Sequence, residues 1–306
     1  MNQTDNKGCY FFEDDLTKFD ESDEVFITNI VTCILNCVFS LLTCMGNFLI
    51  VFVIGKTQEL HSPSFVLLGC LAGSDLLVGL ICQPILVAHK IAELNKNFPA
   101  YCTSAMLNSI SGWVTAVVSL LTLGAVSIDR VLCLILHLRY NTLVTVSRVF
   151  KTVAIMWIFS IAFAAARFWM SNDSWYFIAM TVLLMPFLVI SVSTLKIFQI
   201  VRSHQRQIKV QTEAIRHLQS NTVNVLKCRK SAVTVLYIYG LLLIFFLPFF
   251  VVMIIEVYHV GYTRKIRIAY SYVATAVFIN SFLNPLVYCW RNRELRQAAK
   301  RALIRD

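Results

Sequence analysis

Residues 236–255 read LYIYGLLLIFFLPFFVVMII, a run with no charged residue. Wound as a helix at 1.5 Å rise per residue, such a run crosses the roughly 30 Å hydrocarbon core of a bilayer. Working outward from it, six further apolar segments can be drawn. The full set is 26–54, 64–90, 103–136, 149–170, 175–202, 231–257 and 266–290. Together they occupy most of the 306 residues and leave no room for a second folded domain. Composition agrees: 58% of the chain is hydrophobic, only 14% is charged, and the mean hydropathy is +0.68. A soluble domain carries about 25% charged residues, so soluble enzymes, disordered chains and collagen-like chains are excluded. The fold predicted is an all-α membrane protein, a bundle of seven transmembrane helices with a short amphipathic C-terminal helix. Three parts follow: an acidic arm at 1–25, the bundle at 26–290, and an amphipathic helix and tail at 291–306.

Charge placement gives the orientation, because cytoplasmic loops collect Lys and Arg. With the N-terminus outside, the inner side carries Lys56, then Arg130, Arg139, Arg148 and Lys151, then eight basic residues from Lys196 to Lys230, and six in the tail. The acidic residues go the other way, with eight in the N-terminal arm. The tail RNRELRQAAKRALIRD places Leu295, Ala298, Ala299 and Ala302 at helical spacing among basic residues, a pattern suited to an anionic lipid face. No basic segment precedes an apolar stretch at the N-terminus, so the first span is expected to act as its own insertion signal. Asn2-Gln3-Thr4 and Asn172-Asp173-Ser174 are glycosylation sequons, and both fall on the outer side. Cys33, Cys37, Cys44, Cys70, Cys82 and Cys133 lie in or beside apolar runs, where thiols behave as small hydrophobes. No Cys/His cluster has zinc spacing.

Polar groups inside a membrane are costly and by default mark function. Asp75 sits mid-span in LAGSDLLVGL; Ser119, Asn280, Ser281 and Asn284 are the other mid-membrane polar groups. One carboxylate with several neutral oxygens suits a hard monovalent cation such as Na⁺, or a proton-sensitive hydrogen-bond network. Asp129 and Arg130 stand together at the inner end of the third span. Pro186, Pro248 and Pro285 lie within the fifth, sixth and seventh spans, where a missing N–H loosens a helix. Transporters and channels, the alternative class, are disfavoured by the lack of an internal repeat. Intramembrane hydrolases need a second carboxylate or a Ser/His pair at depth, and neither is present.

These residues, in this order, resemble the rhodopsin-like (class A) G-protein-coupled receptors. The landmarks are Gly46-Asn47, the stretch ending at Asp75, Asp129-Arg130, Trp157, Pro186, Phe245-Phe246-Leu247-Pro248 and Asn284-Pro285-Leu286-Val287-Tyr288. The resemblance covers about residues 26–304. It implies a non-enzymatic receptor at the plasma membrane that passes binding of an extracellular ligand to a cytoplasmic heterotrimeric G protein. Asp129, Arg130, Phe246, Pro248, Pro285 and Tyr288 would form the activation switch. Arg130 and Leu138 would touch the G protein, while Asp75, Ser119, Asn280, Ser281 and Asn284 would bind sodium in the resting state. No cofactor beyond such an allosteric Na⁺, and no nucleic acid, is expected.

The departures from the family pattern are specific. Val131 replaces the usual tyrosine, Phe246 stands in for the aromatic toggle, and Cys228 occupies a place where many members carry an acid. The second outer loop is short and has no cysteine, so the family's usual bridge cannot form; Cys9 and Cys102 make the one available outer pair. With the RYNTLVTVSRV and RELRQAAK stretches, that loop looks most like the melanocortin, adenosine and cannabinoid branch. Gly112 lies where amine receptors carry an aspartate. The candidate ligand pocket comprises Gln83, Asn108, Gly112, Trp113, Thr115, Glu256 and Tyr270.

Overall fold

The computed structural model describes residue 19 and residues 22–136, 139–211, 219–256 and 263–304. Eight helices carry the architecture: α1 (Asp23–Lys56), α2 (Pro63–Leu94), α3 (Phe98–Leu136), α4 (Val146–Ala166), α5 (Asn172–Gln211), α6 (Gln219–Ile255), α7 (Arg264–Arg291) and α8 (Arg293–Ile304). The first seven each contain a stretch long and apolar enough to cross a membrane, and no strand occurs among the described residues. All seven expected spans are helices, several running beyond the apolar segment into polar sequence.

The packing is that of a protein whose solvent is hydrocarbon. Phe26, Leu41, Met45 and Phe48 of α1, Ile155 and Ile158 of α4, and Ile244 and Leu247 of α6 all face outward and are exposed. The inner face of α1 is polar instead, with Thr28, Thr32, Asn36, Thr43 and Asn47 all buried. Hydrogen bonding is the reason, since polar atoms in a membrane must find partners within the protein. The Thr28 and Thr32 hydroxyls donate to carbonyls one turn back, and the Asn36 amide donates to Thr275 Oγ1 across to α7 at 2.9 Å.

Two local devices shape the inner helices. Pro285 has no N–H, so the carbonyl of Ser281 loses its helical partner. The Asn47 amide fills that gap, donating to the Ser281 carbonyl at 3.0 Å. Gly46 lets α1 approach the kink, because a Cβ there would already lie 3.4 Å from the Pro285 ring. In α2 a π turn occupies Val78–Cys82, just ahead of Pro84. The wide turn brings Gly79 so close to α1 that a Cβ would fall 2.8 Å from Cys44 Sγ, and Ser40 donates to the Gly79 carbonyl at 2.7 Å.

Elsewhere the connections are short and capped. Thr145 accepts from the Arg148 N–H at the start of α4, and Thr263 from that of Ile266 at the start of α7. Asn292 caps α8, accepting from the N–H groups of Glu294 and Leu295. Leu295 and Ala299 are buried against the bundle, so α8 presents its basic residues outward. Five of the six cysteines read as apolar filler are free thiols; Cys133 is disulfide-bonded, as is Cys102.

Candidate functional site

A cavity of about 260 Å³ runs down the middle of the bundle. Its outer end is lined by His89 and Lys90 of α2, Asn108 and Gly112 of α3, Tyr176 of α5, and Glu256 and Tyr270 at the ends of α6 and α7. Deeper, the wall passes Trp113, Thr115 and Phe246 and reaches Ser119, Asn280, Ser281, Asn284 and Asp75. Six of the seven expected pocket residues therefore share one space with all five residues of the mid-membrane polar cluster. Gly112 faces open volume, because a Cβ there would meet nothing within 4 Å.

Gln83 is the exception. It is fully buried but does not line the cavity, and both its side-chain polar atoms lack a hydrogen-bond partner. It directly follows the π turn at Val78–Cys82.

At the cavity floor Asp75 is buried, and the Asn284 amide donates to its Oδ2 at 2.7 Å. Among the described residues no Lys or Arg pairs with it. Ser119 meets Ser74 at 3.2 Å, while Asn280 Oδ1 and Asn284 Oδ1 are buried without a partner. An uncompensated carboxylate beside orphaned carbonyl oxygens fits a hard monovalent cation, because each of those oxygens is an acceptor lacking a donor.

Above the floor stands the aromatic layer. Phe246 is buried, with its ring centroid 5.9 Å from that of Phe187 and edge-on to it; Phe187 in turn meets Phe250 at 5.1 Å. Pro248 lies within α6 two residues above this contact, and Pro186 within α5 one residue before Phe187. A second aromatic group, Trp113 with Phe163 and Trp175, ties α3 to α4 and α5. Tyr288 is buried on α7 and its hydroxyl has no partner.

The other end of α3 holds the Asp129–Arg130 pair, both buried, with Arg130 Nη2 3.5 Å from Asp129 Oδ2. Two groups that carry no motif complete the arrangement. The Tyr140 hydroxyl donates to Asp129 Oδ1 at 2.5 Å, and the Ser64 hydroxyl donates to Oδ2 at 2.7 Å. Burial, then the adjacent Asp129 charge, pushes the Tyr140 phenol above its ordinary range, so it remains a donor at neutral pH. Tyr140 comes from the single helical turn Tyr140–Leu143 after α3. Sequence reasoning gave neither residue a role, although Tyr140 belongs to the RYNTLVTVSRV stretch ten residues past Arg130.

Asn2, Cys9 and Leu138 lie outside the described residues, as does the side chain of Cys228. Asn172 is the first residue of α5, and its side chain is likewise outside the description. Cys102 is disulfide-bonded on the first turns of α3. Nearby, Phe19 meets Tyr101 edge-on at 5.6 Å, so the end of the arm touches the top of that helix.

Seven apolar helices around a largely apolar central cavity with a polar floor, and a buried Asp129–Arg130 pair at one end, are the arrangement of a seven-transmembrane receptor. Residues 46–176 and 168–288 match the family model of the 7 transmembrane receptor (rhodopsin family), and the chain belongs to that family of G-protein-coupled receptors. Members of this family are receptors and not enzymes.

Proposed function

We propose that the protein sits in the plasma membrane with its N-terminus outside and passes binding of an extracellular small molecule to a cytoplasmic heterotrimeric G protein. The observation that carries this reading is the continuity of the cavity. A ligand among Glu256, Tyr270 and Asn108 shares one space with Phe246 and with the Asp75 cluster, so it bears directly on the helices that must move. Phe246 packs on Phe187 beneath the proline of α6, and a push there favours bending at Pro248. Bending α6 opens the inner end of the bundle, where Arg130 and Leu138 would meet the G protein. Tyr288, whose hydroxyl lacks a partner at rest, then gains one by turning inward.

Asp75, Ser119, Asn280, Ser281 and Asn284 would hold Na⁺, which supplies the positive charge that the buried carboxylate lacks in the resting arrangement. The concentration of Lys and Arg in the inner loops supports the orientation. It places the sequons at Asn2 and Asn172 outside, available for glycosylation, and sets the basic face of α8 against anionic lipids. The arm's contact with Tyr101 and the oxidised state of Cys102 support Cys9 as the partner of Cys102.

Second-messenger assays in cells expressing the protein, screened against small-molecule libraries, test the reading. At least one compound should raise the response in cells carrying the wild type and not in cells carrying Arg130→Ala at equal surface expression. Responses that persist unchanged with Arg130→Ala would contradict it.

A further inference from the structure

The outer end of the cavity contains two opposite charges that do not pair with each other. Lys90 is 5% exposed, and its Nζ donates to Ser271 Oγ at 2.9 Å and lies 3.5 Å from Glu93 Oε2. Arg267 of α7 is also buried, and its Nη2 sits 2.5 Å from Glu93 Oε1. One buried carboxylate thus serves two buried cations, and the shorter contact gives it mainly to Arg267. The cluster keeps one surplus positive charge. Of its three ionised members only Lys90 lines the cavity, so the surplus faces the space a ligand would fill. A buried charge without a counter-ion is costly, and the cost is relieved when one arrives.

Glu256 comes from the end of α6. Its Oε1 accepts from the Tyr176 hydroxyl at 3.3 Å and the Tyr270 hydroxyl stands beside the carboxylate, while Oε2 makes no well-formed hydrogen bond and no cation among the described residues pairs with it; the residue lines the same cavity. Trp113, Phe249 and Tyr270 line that cavity too and offer ring surface.

We propose that this cavity takes a small zwitterionic molecule, with an anionic end at Lys90, a cationic end at Glu256 and an apolar body between them. The proposal rests on the receptor reading and adds the chemical class of its ligand. Each end completes a group that the protein leaves unfinished: an anion supplies the second negative charge for the Lys90–Glu93–Arg267 cluster, and an ammonium supplies the counter-charge that the tyrosine hydroxyls around Glu256 do not. A cavity of about 260 Å³ falls just below the usual range of ligand pockets, roughly 300–1,000 Å³. That size favours a metabolite-sized zwitterion over a peptide.

The test is thermal melting of the full-length purified protein in nanodiscs. The probes are ω-amino acids of graded chain length, each compared with the fatty acid and the alkylamine of the same length. At the length that spans the two charges, the ω-amino acid should raise the melting temperature by more than the matching acid and amine combined. Lys90→Gln leaves the Glu93–Arg267 pair in place and should weaken that probe about tenfold, while Lys90→Arg should preserve binding. Glu256→Gln should weaken it similarly. Monofunctional probes that stabilise as well as the zwitterion would overturn the proposal, as would the absence of stabilisation at every length. Melting reads binding alone, so a protein that is stabilised as expected but engages no G protein would remove the receptor reading and leave the binding site standing.

Discussion

Tyr140 and Ser64 reach Asp129 from two different elements, and the sequence assigned neither a role. A buried carboxylate is stable only when its oxygens are satisfied, and hydrogen bonds to charged groups are worth about 1.5–3 kcal/mol each. Arg130, at 3.5 Å, is the loosest of the three partners. Latch strength therefore depends on how Tyr140 and Ser64 aim the carboxylate as much as on the ion pair itself. Tyr140→Phe should lower the melting temperature of the purified receptor by several degrees. In an Asp129→Asn background the same change should cost clearly less, because the charge that made the bond strong is gone. Equal losses in both backgrounds would show that Tyr140 acts through packing alone. The same scale shows why the sequence pointed to Asp75 but not to Lys90. Asp75 stands alone in an apolar run and is conspicuous. Lys90 and Glu93 stand at the end of a span, where charges ordinarily snorkel to the interface, and it is the fold that brings Arg267 of α7 onto Glu93.

At the level of elements, α1 and α7 are joined where α7 is weakest. Restoring the carbonyl partner that Pro285 removes is the task of Asn47, and the exchange is specific: one amide donor for one missing N–H. Asn47→Ala should destabilise the receptor by about 1–3 kcal/mol, the penalty for a buried acceptor left alone. Against Pro285→Ala the same substitution should cost markedly less, because residue 285 then carries its own N–H for the Ser281 carbonyl. A double-mutant cycle in thermal melting measures the difference, and strict additivity would rule out this link.

The helices themselves were legible because each apolar run is longer than the bilayer needs and no strand pattern competes. The extension of α5 and α6 past their apolar runs was legible too, since polar stretches such as SHQRQIKVQ are helix-forming: α5 runs on to Gln211 and α6 starts at Gln219. The π turn in α2 was not legible: the apolar run carries no mark of it, and only the fold shows Gly79 packed on α1 within it, just ahead of Pro84. Gln83, expected in the pocket, is buried without lining it, and a helical period alone does not resolve such a position.

For the whole molecule, the claim is that the cavity and the inner face form one mechanical unit, because the space that receives a ligand also contains Asp75. In the proposed mechanism Na⁺ at the Asp75 cluster would stabilise the resting arrangement, and by linkage would then oppose the arrangement that binds a G protein. The most direct measurement is capture of nucleotide-free heterotrimers, from each G-protein class, by the receptor in nanodiscs as NaCl replaces choline chloride at constant ionic strength. The account predicts that at least one class is captured and that capture falls as Na⁺ rises. Asp75→Asn should remove the dependence on Na⁺, and Arg130→Ala should remove capture. Capture that is unaffected by Na⁺ in the wild type, or that survives in Arg130→Ala, would contradict the account.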